Sequence, residues 1–222
     1  MKLLMWDIDG TLIHGKGSGR IAMNRAFERR YGIKDVFGKI YLAGSMDINT
    51  IQTIFDKCGI QFSQLSEYLA AYYDELRLVL EEGRSELLPG VIDVLDRTEK
   101  EVGVYNALGT GNVEPGARMK LEQFNLNHYF PVGGFSVSLM ERFEMVMDGV
   151  VKSRVYYDVD FALKDVVIIG DTVQDVQAGH AWGMRVISVA TGGNRFDELE
   201  QVNPGRVLNN LFEIDKFFEL IN

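Results

Sequence analysis

The chain has 222 residues, 46% of them hydrophobic and 25% charged, the composition of an ordinary folded domain with enough apolar material for a sizeable core. Lys and Arg (23) are outnumbered by Asp and Glu (32), and the formal charge of −9 argues against nucleic acid or an anionic membrane as the main partner. A small anionic substrate stays open, because a bound cation and a few local bases can reverse the sign inside a pocket.

The single cysteine, Cys58, excludes an intramolecular disulfide and a multi-cysteine zinc site. No apolar run approaches the roughly 20 residues needed to span a bilayer. The first apolar stretch meets a charge at Asp7, which disqualifies it as a secretory signal, so a cytoplasmic location is expected.

The first element expected is a buried strand over 2–8. Residues 15–85 then show no comparable strand. A glycine-rich stretch, 15–19, opens this block as a linker, and apolar residues follow at helical spacing: Phe27 and Tyr31, then Ile51, Ile54, Phe55 and Cys58, then Leu65, Leu69, Tyr72, Leu76 and Leu80. A second linker is read at 82–85. Beyond it, short apolar strands at 102–108, 166–169 and 185–190 alternate with helical patterns near 91–99, 113–125, 141–156 and 173–182. Pro89 and Pro115 fall where two of those helices should start. Strands with nearly continuous apolar runs, separated by helices, imply βαβ units and a parallel sheet covered on both faces. The expected fold is therefore α/β: a Rossmann-like, doubly wound core of residues 1–14 and 86–222, with a helical cap, 15–85, inserted after the first strand.

Three segments carry chemistry, each at the carboxyl end of an expected strand, where open α/β sheets bind ligands. The first is Asp7-Ile8-Asp9-Gly10-Thr11-Leu12, which in isolation is also a plain turn. The second, Gly170-Asp171-Thr172-Val173-Gln174-Asp175, follows the run 166–169; Asp175 alone would only complement a helix dipole. Together they bring four carboxylates to one edge of a sheet. Such carboxylates raise one another's pKa and need a cation to stay ionised, and a hard, oxygen-seeking ion such as Mg²⁺ suits them. The third is Leu108-Gly109-Thr110-Gly111-Asn112, whose small residues let an anion approach the backbone while Thr110 offers a hydroxyl; a Gly turn with a Thr or Asn cap is the plainer alternative. Neither this segment nor 15–19 forms a dinucleotide fingerprint or a P-loop.

In this order the segments resemble the haloacid dehalogenase-like hydrolase superfamily, and a helical insertion directly after the first motif resembles its phosphoglycolate phosphatase-like branch. The resemblance implies a Mg²⁺-dependent phosphatase acting on a small phosphomonoester. Asp7 would be the nucleophile, forming an aspartyl-phosphate, and Asp9 the general acid and base. Asp7, the Asp9 backbone carbonyl and Asp171 would hold Mg²⁺, with Asp175 supporting or ligating it. Thr110, Gly111 and a basic side chain would bind the phosphoryl oxygens. The resemblance leaves two alternatives: a phosphomutase of the beta-phosphoglucomutase type and a non-catalytic relative that binds a phosphometabolite.

One departure is the basic motif. The family often carries Lys-Pro, which this chain lacks; Arg142 stands in that region, with Lys152 and Lys164 as competitors and a solvated helix charge as the alternative reading. In the cap, the stretch around Gly44 and Asp47 resembles a substrate loop, although Asp47 also reads as a helix cap before Ile48. His14, His128 and His180 share no metal-binding spacing. Cys58 is read as cap core, and Tyr72 and Tyr73 as helix packing.

Overall fold

A computed structural model describes residues 1–38, 40, 42–203 and 205–222. Strand β1 (Lys2–Trp6) leads through a turn to a short β2 (Ile13–His14). Helices α1 (Ser18–Tyr31), α2 (Asp47–Cys58) and α3 (Leu65–Glu81) follow, and β3 (Glu86–Leu87) returns antiparallel to β2. From there helices and strands alternate: α4 (Val91–Lys100), β4 (Val104–Gly109), α5 (Glu114–Glu122), β5 (Gly133–Gly134), α6 (Arg142–Tyr157), β6 (Val166–Gly170), α7 (Val173–Ala181), β7 (Arg185–Val189), α8 (Phe196–Val202), β8 (Val207–Leu208) and α9 (Ile214–Ile221).

The main sheet is parallel throughout, in the order β5-β4-β1-β6-β7-β8. Its central strand has no polar face because both faces are covered. Leu4 and Trp6 point into a core closed by Val91, Leu95, Leu121 and Phe217, from α4, α5 and α9. Leu3 and Met5 point the other way, onto Met145, Val150 and Val176 of α6 and α7. Period-two alternation within one apolar run thus feeds two cores. The indole of Trp6 donates to Asn106 Oδ1 at 2.9 Å, and the Asn106 amide donates to Thr98 Oγ1 at 2.9 Å, which satisfies the polar groups buried between β1, β4 and α4.

The helical insertion between β2 and β3 has its own core, where Phe27, Phe55 and Tyr68 meet edge to face or tilted at centroid distances of 5.5–6.1 Å. Val113, from the main body, joins this cluster. Cys58 ends α2 and packs against the same core.

Several boundaries differ from expectation, for local reasons. β1 stops at Trp6, because the Ile8 carbonyl accepts from the amides of Thr11, Leu12 and Ile13 and starts a turn. β4 begins at Val104; Val102 is 98% exposed in the preceding turn, so its apolar character gave a false start. The stretch 15–19 is not all linker, since α1 starts at Ser18 and takes Gly19 into its first turn. The strands β2, β3, β5 and β8 are two residues each, too short to show a period.

The sheet changes direction at β1: the chain passes to β4 and β5 on one side, then crosses back to β6, β7 and β8 on the other. The segments following β1, β4 and β6 therefore emerge side by side at one edge.

Candidate active site

Asp7 follows β1, and its amide donates to Ile169 O at 2.9 Å, continuing the sheet by one bond. The residue is 5% exposed. Burial pushes the carboxyl up to about 6, with Asp175 and Asp9 adding to the rise while Arg142 and a hydroxyl bond from Thr110 oppose it. Asp171, after β6, is raised well above the ordinary range by burial and by Asp7 and Asp175, against bonds from the Gly193 amide and Thr11 Oγ1. Gly10, at φ +91°, makes the close approach between these segments feasible: a methyl group there would overlap the Asp171 carboxylate.

Asp175 sits in the first turn of α7 and is 1% exposed, hence more than a dipole partner. Its Oδ2 accepts from the amide and hydroxyl of Thr172, at 3.1 and 2.6 Å. Its Oδ1 accepts from Nε and Nη2 of Arg142, at 3.0 and 2.6 Å. Arg142 begins α6, is buried, and brings Nη2 to 3.3 Å from Asp7 Oδ1. Burial works against its charge, but Asp175 and Asp7 outweigh it and keep the guanidinium protonated. Lys152 lies on the surface, paired with Asp148 at 2.6 Å, and Lys164 is exposed.

Asp7, Asp171 and Asp175 each offer an oxygen within 4.8 Å of the others. One guanidinium does not balance three buried carboxylates, and an all-oxygen donor set of this charge fits a hard divalent cation. The consequence can be measured. Since the Asp7 carboxyl ordinarily titrates near 3.8 and is held at about 6 in the fold, the metal-free folded chain keeps a proton that the unfolded chain releases. Stability contributed by that proton is lost as pH rises through this window. A cation that binds the ionised trio works in the opposite direction. Mg²⁺ at a hundredfold excess over its Kd should stabilise the fold by about 2.7 kcal/mol at pH 7.5. That is a rise of roughly 5–10 °C in unfolding temperature, and far less at pH 5, as read by calorimetry. An equal rise at both pH values, or none, would remove the trio as a cation site.

Thr110 is fully buried after β4 and Gly111 follows it; a methyl group on Gly111 would strike the Ser45 carbonyl of the insertion. Asn112 donates its amide to Asp9 Oδ2 and Thr110 Oγ1, both at 2.8 Å. Lys120 completes this arrangement. Its Nζ donates to Asp9 Oδ2 at 2.5 Å and Asn112 Oδ1 at 2.6 Å, and the residue is 4% exposed. The sequence reading missed Lys120, yet a signal existed: it falls in phase with Gly116, Ala117 and Leu121, the buried face of α5.

Asp47 is not the cap of α2. Met46 holds that position, and the Asp47 carboxylate reaches across to the Val113 amide at 3.0 Å, because the loop 110–113 offers an unpaired donor there. Its own amide donates to Gly111 O at 2.8 Å. Burial lifts its carboxyl to about 6, against the attraction of Lys120. Gly44 lies against Thr172 and Gln174, and its carbonyl accepts from Arg142 Nη1 at 3.4 Å. Asp7, Asp9, Asp171, Thr110, Gly111, Arg142, Gly44 and Asp47 all line one cavity of about 310 Å³, with Asp175 behind Arg142. The histidines are not gathered there: only His14 borders it, 3.7 Å from Glu86, while His128 stacks beside Tyr129 and His180 is exposed. Among the described residues no helix is long and apolar enough to cross a membrane.

Comparison with known proteins gives one consistent result. The family model described as haloacid dehalogenase-like hydrolase matches residues 4–189. A phosphoglycolate phosphatase of Haemophilus influenzae is 24% identical over 228 residues, covering 96% of each chain. Phosphoglycolate phosphatase 1 of Pseudomonas aeruginosa is 26% identical over 231 residues, 96% of this chain and 78% of that one. The crystal structure of a predicted phosphatase from Clostridium acetobutylicum superposes with a TM-score of 0.72 at 17% identity over 99% of both chains, a likeness of fold.

Proposed function

Since the chain belongs to the haloacid dehalogenase-like hydrolases, as a phosphatase of that family, we propose that it hydrolyses a small phosphomonoester by passing the phosphoryl group first to Asp7 and then to water. The observation that carries this reading is a buried carboxylate, Asp7, between Arg142 and the hydroxyl of Thr110 in the lining of one cavity. An Asp7 oxygen attacks phosphorus as the ester oxygen leaves, which replaces one difficult displacement by two easier ones. Thr110 and the backbone around Gly111 would receive the phosphoryl oxygens as charge spreads over them, and Arg142, whose Nε and Nη2 donate to Asp175, would add its positive charge beside them.

Asp9 protonates the leaving alcohol and then takes a proton from the attacking water. Lys120 and Asn112 hold its Oδ2, so Oδ1 is the oxygen left to carry that proton. Asp7, Asp171 and the Asp9 backbone carbonyl would hold Mg²⁺, with Asp175 in support. When bound, the ion neutralises the repulsion between the anionic nucleophile and the anionic substrate. Residues 15–85 act as a cap over the core formed by 1–14 and 86–222, and shield the site from bulk water.

The test is release of inorganic phosphate from a panel of small phosphomonoesters with Mg²⁺. Turnover that disappears in EDTA and returns with added Mg²⁺ supports the reading. No release from any ester would overturn it.

A further inference from the structure

We infer that the cavity wall formed by Ser18, Gly19, Asp47 and Tyr72 is a leaving-group pocket for a neutral, hydroxyl-bearing alcohol, so that the substrate class is the phosphomonoester of a small polyol or sugar, not of a hydroxycarboxylic acid. The inference rests on the phosphatase reading above and goes further, to the chemistry of the alcohol.

Two observations point there independently. The first is a pair of orphaned hydroxyls. Tyr72 is fully buried and Ser18 is 1% exposed; both line the cavity, and neither hydroxyl has a hydrogen-bond partner among the described residues. Buried polar groups are nearly always satisfied, so two on one wall call for a polar partner that enters the cavity. The ring of Tyr72 belongs to the core of the insertion, which accounts for the ring and leaves its hydroxyl unexplained. Gly19 keeps the space in front of it open: a methyl group there would stand 4.0 Å from the Tyr72 hydroxyl and 3.6 Å from Lys120 Nζ. At the other end, a methyl group on Gly15 would lie 3.0 Å from Ser18 Oγ and 3.2 Å from Asp9 Oδ1, so both oxygens border the space in front of Gly15.

The second observation is the charge balance of the wall. Each described cation lining the cavity is already engaged. Lys120 is held by Asp9 and Asn112, and Arg142 by Asp175. Arg20 donates to the carbonyls of Phe37, Gly38 and Ile40, and Lys16 pairs with Glu86 at 2.7 Å. Asp47 and Asp9 border the same space. A carboxylate on the leaving group would face these acids at a desolvation cost, and the one lining cation among the described residues that is not paired with an acid, Arg20, has its guanidinium turned onto backbone carbonyls. A hydroxyl meets the opposite situation, since it can accept from Tyr72 or Ser18 and donate to Asp47.

The experiment compares kcat/KM for glycerol 3-phosphate and ribose 5-phosphate with that for phosphoglycolate and 3-phosphoglycerate, with acetyl phosphate, an acyl phosphate whose leaving group carries no hydroxyl, as the reference. The polyol and sugar esters should be preferred at least tenfold. Tyr72→Phe and Ser18→Ala should each lower the ratio of polyol-ester to acetyl-phosphate turnover by about 3- to 10-fold, the worth of one neutral hydrogen bond. Gly19→Val, which fills the space, should abolish the preference. A preference for the carboxylate esters, or variants that lower every ester equally, would overturn the inference and leave the phosphatase reading intact. If neither the esters nor acetyl phosphate are hydrolysed, the phosphatase reading is what fails. The pocket is then decided by calorimetric binding of glycerol 3-phosphate: binding weakened in Tyr72→Phe supports it, and no binding overturns it.

Discussion

Replacing Asp7 by Asn should lower phosphate release by roughly 10⁴-fold or more, the scale seen when a covalent nucleophile is removed. The amide matches the carboxylate in shape and cannot form the phosphoryl bond. The fold should tolerate the change, because Asp7 is a buried acid pushed up to about 6, with Asp175 and Asp9 among the causes. Removing its charge relieves that repulsion at the expense of the 3.3 Å approach of Arg142. The unfolding temperature at pH 7.5 should therefore hold or rise while activity vanishes. Binding of an unreacted phosphomonoester should persist, since the Asn no longer repels it. A variant that kept activity within tenfold of the parent, in a preparation free of other phosphatases, would rule out the covalent route.

Replacing Arg142 by Met should have the largest effect on stability. The guanidinium is buried, binds Asp175 through two donors and reaches toward Asp7. Without it, three carboxylates remain within 4.8 Å of one another and unopposed. Breaking a buried ion pair from one side typically costs about 3–5 kcal/mol, which for a chain of this size is a fall of roughly 6–20 °C in unfolding temperature. Arg142 also opposes the upward shift of Asp7, so its loss should carry that carboxyl above 6 and move the acid limb of the pH–rate profile to higher pH. Mg²⁺ should recover part of the lost stability, and Arg142→Lys, which keeps the charge but not the paired donors, should fall between the two. A Met variant as stable as the parent would mean that the cluster holds fewer charges than its geometry suggests.

The sequence made the buried strands legible because parallel strands covered on both faces carry few polar residues, and the run 166–169 and the stretch 3–6 before Asp7 carry none. The acids that end them stood out for the same reason, as abrupt charges after apolar runs. Lys120 was hidden by α5 itself. Its stretch Glu-Pro-Gly-Ala-Arg-Met-Lys-Leu-Glu mixes small, charged and apolar residues, so a lysine there looks like solvent-facing charge until its phase with Gly116 and Ala117 is considered. Asp47 misled in another way. An acid before an apolar helical run is the usual sign of a cap, and only the tertiary fold supplies the Val113 amide that draws it across. The hydroxyl of Tyr72 was invisible because the residue fits its helical stripe, and periodicity reports the ring alone. β5 is Gly133–Gly134, with no side chain from which to read a period.

The central position of β1 bears on how the protein is made. Leu3 pairs with Tyr105 on one side and Val166 on the other, so the strand that begins the sheet is the one separated from its neighbours by the longest stretches of chain. At a synthesis rate of roughly 5–20 residues per second, its second neighbour leaves the ribosome roughly 8–30 s after it does. Through that interval an apolar strand with an open edge must be kept from other chains. The helical insertion, which has a core of its own, can gather beside it while it waits. Asp7 is synthesised 164 residues ahead of Asp171, yet it meets that residue only when β6 docks. The site therefore cannot form before β6 docks, and a nascent chain stalled before β6 would expose β1 without acquiring the chemistry it supports.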